Sequence, residues 1–211
     1  AVLTLNNMFE QFSASGINFL VTRYISLIAL PVYTTLRTAT NMAVQVTNLI
    51  MNPLQPELIR YHSQNAGEKI SSVSKAFWII GGSIVNITLL GIAPFMAGLY
   101  AIWTNHKLQF DPVLFFLLCL SVAVANFGKT WTAYLNGIND LKAITMMSVS
   151  RFFVIFTIIY FGNGPYGMAS VGWGILVSEI ISSLILPFFL VKGKLREINS
   201  PFDNQAALLA V

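Results

Sequence analysis

Two long stretches of this chain, Ala76 to His106 and Phe152 to Ser178, hold no Lys, Arg, Asp or Glu. Each can supply the ~20 apolar residues that an α-helix needs to cross a bilayer. Backbone groups inside hydrocarbon must be satisfied by the chain itself, which leaves helices and closed barrels as the only spanning structures. The apolar runs here are too long and too rarely alternating for barrel strands, so they read as helices. Composition agrees: 55% of the 211 residues are hydrophobic and 9% are charged, against ~25% charged in soluble domains. The sequence is that of an all-α integral membrane protein.

Breaks rich in Pro, Gly, Asn or charge fall at LIALP, NPLQPELIRYHSQNAGEK, WTNHKLQFDP, LNGINDLK and FGNGPYG. They divide the chain into about six helices, at approximately 1–23, 29–53, 74–102, 112–136, 141–161 and 168–191, followed by a tail at 192–211. Lys and Arg are unevenly shared between the connections. The second–third connection carries Arg60, Lys69 and Lys75, the fourth–fifth carries Lys142, and the tail carries Lys192, Lys194 and Arg196. The other side has only Arg23 and Lys107. The positive-inside bias therefore predicts a cytoplasmic 54–73 loop and a cytoplasmic C-terminus.

The net charge of +4 belongs to residues that flank apolar spans, where basic side chains set topology, so a nucleic-acid partner is not expected. A single cysteine, Cys119, excludes an intrachain disulfide and a thiol pair. His62 and His106 lie far apart in polar segments and read as plain loop residues rather than metal ligands. The chain opens without an initiator Met and without the features of a signal peptide, so it is expected to be a piece of a longer protein.

Polarity inside the spans is ordered. At ~100° per residue, Thr34, Arg37, Thr38, Asn41, Gln45, Asn48 and Asn52 share one face of the second helix. Asn7, Gln11, Asn18 and Thr22 line up on the first, with Glu10 at the edge. Such groups can act as interhelical glue, each bond contributing ~0.6 kcal/mol, or they can line a water-filled cavity. A stripe this long that includes a charge favours the cavity. Lys129 sits ~10 Å from the nearer end of the fourth helix, Arg37 ~12 Å into the second and Arg151 ~15 Å into the fifth. A central Arg costs at least ~2.5–3.5 kcal/mol on insertion scales, so it must face the bundle interior, a partner or water. For Arg151 two readings stand open: a structural ion pair with Glu179 of the sixth helix, or a binding charge. Glu10 and Glu179 are candidates for ion coupling, since burial raises a carboxyl pKa, or for neutralising an Arg. No paired carboxylates, metal-ligand spacing, P-loop, Rossmann or G-x-S-x-G pattern occurs, so neither enzymatic chemistry, a metal nor a cofactor is expected.

The segment INFLVTRYISLIALPVYTTLRTATNMAVQVTNLIMNPLQPELIRYH, Ile17 to His62, resembles the seventh and eighth helices of polysaccharide flippases in the MATE-like multidrug/oligosaccharidyl-lipid/polysaccharide superfamily. The resemblance is carried by Y-x-x-x-R-T at Tyr33 to Thr38, by the Asn/Gln-rich helix after it, and by PELIRYH from Pro56; YLNGIND, Tyr134 to Asp140, is similar to the turn after the family's tenth helix. The resemblance implies a twelve-helix transporter of two six-helix lobes working by alternating access, with residues 1–191 as the C-terminal lobe and the N-terminal lobe as a missing partner. It further implies a bacterial inner-membrane protein that flips oligosaccharide repeat units linked to undecaprenyl pyrophosphate, for O-antigen or other surface polysaccharide, possible coupling ions being H+ or Na+. The substrate-binding cavity would then be built from Asn7, Gln11, Asn18, Arg37, Asn41, Gln45, Asn48, Lys129 and Arg151, with membrane lipid around it. The rival readings are a multidrug/cation antiporter of the same fold and a membrane-embedded glycosyltransferase or polymerase.

Overall fold

A computed structural model of the chain describes residues 15–199, without the side chains of Val46, Ile50, Leu90 and residues 196–199. Among the described residues there are helices and no strands. Helix α1 covers residues 15–20 and closes in a π-helical turn, Val21–Ile25. Helix α2 is Ala29–Ser63; α3 is Gly67–Ile92 and continues through a 3-10 turn, Ala93–Phe95, into α4, Met96–Trp103. Helices α5, Pro112–Gly137, and α6, Leu141–Tyr166, follow. Helix α7, Ala169–Glu179, runs through a second π-helical turn, Ile180–Ile185, into α8, Leu186–Asn199.

The turns between these rods are short and chemically explicit. Asn65, Asn105, His106, Asn139 and Gly167 take positive φ, from 50° to 57°, the left-handed region that Gly adopts freely and Asn better than most residues. Asp111 caps α5 by accepting from the Leu114 amide at 3.0 Å, with Pro112 in the first helical position, where its missing N–H costs nothing. Asp140 caps α6 in the same way through the Ala143 amide.

Several boundaries depart from the sequence reading. The second helix does not end near residue 53 but runs through Pro53 and Pro56 to Ser63, and the third starts at Gly67, so the expected 54–73 loop shrinks to residues 64–66. Tertiary packing overrides the two prolines. Met51 and Leu58 are fully buried in a core with Ile70, Phe77 and Tyr134, and the Tyr134 hydroxyl meets His62 Nδ1 at 2.8 Å. His62 is thus part of the last turn of α2 rather than a loop residue. The expected fifth helix, α6 here, also extends past residue 161, carrying Pro165, to Tyr166, and the last helix does not give way to a tail at residue 192 but runs on to Asn199.

Four stretches are long and apolar enough to cross a membrane: Gly67–Trp103, Pro112–Gly137, Leu141–Tyr166 and Ala169–Leu195. Helix α2 spans ~52 Å at 1.5 Å per residue, ample for a bilayer core of ~30 Å, but its polar stripe keeps it outside that set. The distribution of side chains is that of a protein dissolved in lipid. Large apolar groups such as Ile79, Phe116, Phe153, Phe161 and Phe189 face outward, while Thr47, Ser121, Asn126, Thr130, Ser178 and Ser182 are buried. Buried hydroxyls mostly bond within their own helix: Thr47 donates to the Ala43 carbonyl, Ser121 to Leu118, Ser178 to Ile175 and Ser182 to Ser178. Helix α5 is the axle, packed against α2, α3, α7 and the second π-helical turn.

Candidate functional site

The axle position of α5 depends on one residue without a side chain. A Cβ placed on Gly128 would lie 1.5 Å from the Ser183 carbonyl oxygen, so α5 and the second π-helical turn approach to backbone contact. That crossing brings the next residue, Lys129, to the same hollow as the polar end of α7. The hollow is a cavity of about 320 Å³ between α2, α5, α6, α7 and the π-helical turn. Helix α2 contributes Arg37, Thr40, Asn41 and Val44; α5 contributes Ser121, Lys129, Thr132 and Asn136 among others; α6 contributes Ser148 and Arg151; Glu179, Ser182 and Ser183 complete the wall. Among the described residues, three cations and one carboxylate line it.

Arg151 is held by several bonds at once. Its Nη2 lies 3.2 Å from Glu179 Oε2, and donates to Ser183 Oγ at 2.9 Å, while Nε donates to Ser182 Oγ at 3.2 Å. The Ser183 hydroxyl also donates to Glu179 Oε2. The arginine, the carboxylate and both hydroxyls form one closed network, with the ion-pair side chains 34% and 16% exposed. The ion pair left open by the sequence is thus present, yet both of its members also line the cavity.

Arg37 is held differently. Its Nη1 donates to the Tyr33 hydroxyl one turn earlier, and its guanidinium carbon lies 5.7 Å from the centre of the Tyr33 ring. Tyr33 is fully buried in the core formed by Leu20, Val21, Leu36, Ile155 and their neighbours. A rigid ring thereby fixes the base of a long, half-buried cation.

Of the sequence candidates, Arg37, Asn41, Lys129, Arg151 and Glu179 come together around the cavity. Gln45 and Asn48 continue the stripe along α2 but are not among its lining residues; Gln45 is exposed and Asn48 half-buried. Asn18 is exposed on α1, which places it outside the cavity lining. Asn7, Glu10 and Gln11 lie outside the described residues. Asn126 faces α3 instead, its side-chain amide donating to the Gly81 carbonyl at 3.2 Å. Sequence reasoning passed over Thr40, Ser121 and Thr132 because single hydroxyls in apolar helices carry no periodic signal. It also missed the π-helical turn, which no residue pattern announces. Among the described residues no three His, Cys, Asp or Glu side chains gather into a metal-ligating group.

Fold and site together define a multi-pass, all-α membrane protein with a polar, basic cavity inside its bundle. Comparison with family models, with curated proteins and with solved structures finds no match.

Proposed function

We propose that this chain is a six-helix lobe of a transporter that turns lipid-linked oligosaccharide across the bacterial inner membrane, the lobe being the C-terminal half of a MATE-like protein with a cytoplasmic C-terminus. The carrying observation is the cavity that brings Arg37, Lys129 and Arg151 together with Glu179 and, among the described residues, the amides of Asn41 and Asn136. Arg guanidinium groups suit a pyrophosphate or an acidic sugar, which they bind through charge-assisted, often bidentate bonds. Asn41 and Asn136 add amides of the kind that bind sugar hydroxyls.

The outward stripe of α2 supports a second lobe. Thr38, Asn41, Gln45 and Asn52 are exposed on the surface of the described bundle, and polar groups left against hydrocarbon are expensive. A facing N-terminal lobe with a wet path between the two relieves that cost. Flipping requires no covalent step, so this reading is not enzymatic.

The test uses the full-length protein in cells lacking their own flippase. Arg37→Ala is expected to lower surface polysaccharide strongly while the protein remains in the membrane. Normal surface polysaccharide from Arg37→Ala would sink the assignment of the cavity.

A further inference from the structure

A second concavity, about 350 Å³ in volume, lies between the start of α3, the C-terminal part of α5 and α8. Its character differs from that of the cavity above. Trp78, Trp131 and Phe188 form its floor as a continuous aromatic ladder, with ring centres 4.9 Å and 5.1 Å apart. The Trp78 indole N–H donates to the Phe127 carbonyl, which fixes the ring and leaves its face for other contacts.

Two lysines from different helices stand on the same cleft, Lys75 and Lys192, and no acidic side chain is among its described lining residues. Glu57 and Asp140 are taken up by their own cations, Arg60 and Lys194. Helix α3 leaves the basic end of the bundle and α8 returns to it, so the chain order is opposite in the two: Lys75 precedes Trp78 by three residues, and Lys192 follows Phe188 by four. Both lysines therefore sit ~5 Å nearer the basic end of the bundle than their aromatic neighbours. The Lys192 ammonium lies 5.9 Å from the Phe188 ring centre, a stem folded along an apolar surface with its charge kept at the rim. The surrounding face is apolar, with Ile79 71% and Phe189 64% exposed.

Cations above an aromatic floor on a lipid-facing surface match one ligand chemistry: an anionic head above an apolar tail. We propose that this cleft binds an anionic phospholipid of the surrounding bilayer, its phosphate between Lys75 and Lys192 and an acyl chain along Trp78, Trp131 and Phe188. The site is separate from the central cavity and does not depend on what that cavity transports.

The test reconstitutes the full-length protein into bilayers containing brominated lipid, with Trp103→Phe, Trp173→Phe and any tryptophan outside these 211 residues also changed to Phe, so that Trp78 and Trp131 alone report. Brominated phosphatidylglycerol is expected to quench tryptophan emission more than brominated phosphatidylcholine at equal mole fraction. Lys75→Gln with Lys192→Gln should weaken that preference by about five-fold per lysine, while Lys75→Arg with Lys192→Arg keeps it. Equal quenching by the two lipids, an unchanged preference in the Gln variant, or loss of preference in the Arg variant would each overturn the proposal. So would abolition of the preference by soluble inorganic phosphate, which would mark a site for free anions.

Discussion

The two walls of the central cavity each present an arginine, and they hold it in opposite ways. On the α6–α7 wall, Arg151 is tied across helices to Glu179, Ser182 and Ser183, so its charge is balanced and its position fixed by three partners. On the α2 wall, Arg37 is tied within its own helix to the neutral hydroxyl of Tyr33. One arginine joins two helices; the other is propped by its own. A buried charge pair adds little net stability but is costly to break from one side, whereas a cation braced by a neutral ring keeps its charge for a ligand. Under the proposed function, the difference would give Arg151 a chiefly structural part and Arg37 a chiefly recognitive one.

The strongest way to break the α6–α7 wall acts through α5. In Gly128→Ala the new methyl group collides with the Ser183 carbonyl, a backbone atom that cannot rotate away. The crossing must open, and a loss of about 3 kcal/mol or more is expected, read as a fall in the thermal unfolding midpoint of purified protein in detergent. Glu179→Ala comes next. It strands the Arg151 guanidinium beside two hydroxyls, at a cost of roughly 2–3 kcal/mol for a partly exposed pair. Combining it with Arg151→Ala should cost less than the sum of the two single changes. Simple additivity in that double-mutant cycle would show that the ion pair is not coupled.

How much of this contrast could be read from sequence alone differs between the walls. Arg151 and Glu179 each stood out as charges deep in apolar helices, so their ion pair was legible as one of two alternatives. Arg37 was legible through the polar stripe, but its partner was not. Tyr33 stood four residues earlier on the same face, in the Y-x-x-x-R-T pattern, but that pattern pointed to a resemblance and not to a bond between the two side chains. The continuation of α2 through Pro53 and Pro56 was hidden because two prolines are a strong local stop signal. Only the long-range burial of Leu58 and the Tyr134–His62 bond outweigh it. Gly128 was equally hidden, since a glycine amid apolar residues gives no sign of which backbone it must meet.

On the α2 wall the expected effects move from stability to binding. Arg37→Ala removes no cross-helix bond among those described, only the bond to the Tyr33 hydroxyl, so the loss in stability should be about 1 kcal/mol, well below that of Glu179→Ala. Affinity for a pyrophosphate-bearing lipid should fall about ten-fold or more, as expected for one charge-assisted bond of roughly 1.5–3 kcal/mol. Titration of labelled undecaprenyl pyrophosphate oligosaccharide into the full-length protein measures it. A large loss of stability with unchanged affinity would reverse the division between the walls.

The smallest effect is expected from Tyr33→Phe, and it is the sharpest test of the contrast. The ring stays in its buried place, so packing is kept, and only the hydroxyl that accepts from Arg37 is removed. The loss in stability should be about 1 kcal/mol. Arg37 keeps its charge but loses its brace, so substrate affinity should fall by less than in Arg37→Ala, and Arg37→Ala with Tyr33→Phe should bind no worse than Arg37→Ala alone. That pattern follows only if the hydroxyl acts through the guanidinium. A further fall in affinity in the double variant would mean that Tyr33 touches substrate itself, and a stability loss as large as that of Glu179→Ala would mean that the α2 wall is a structural clamp like its opposite.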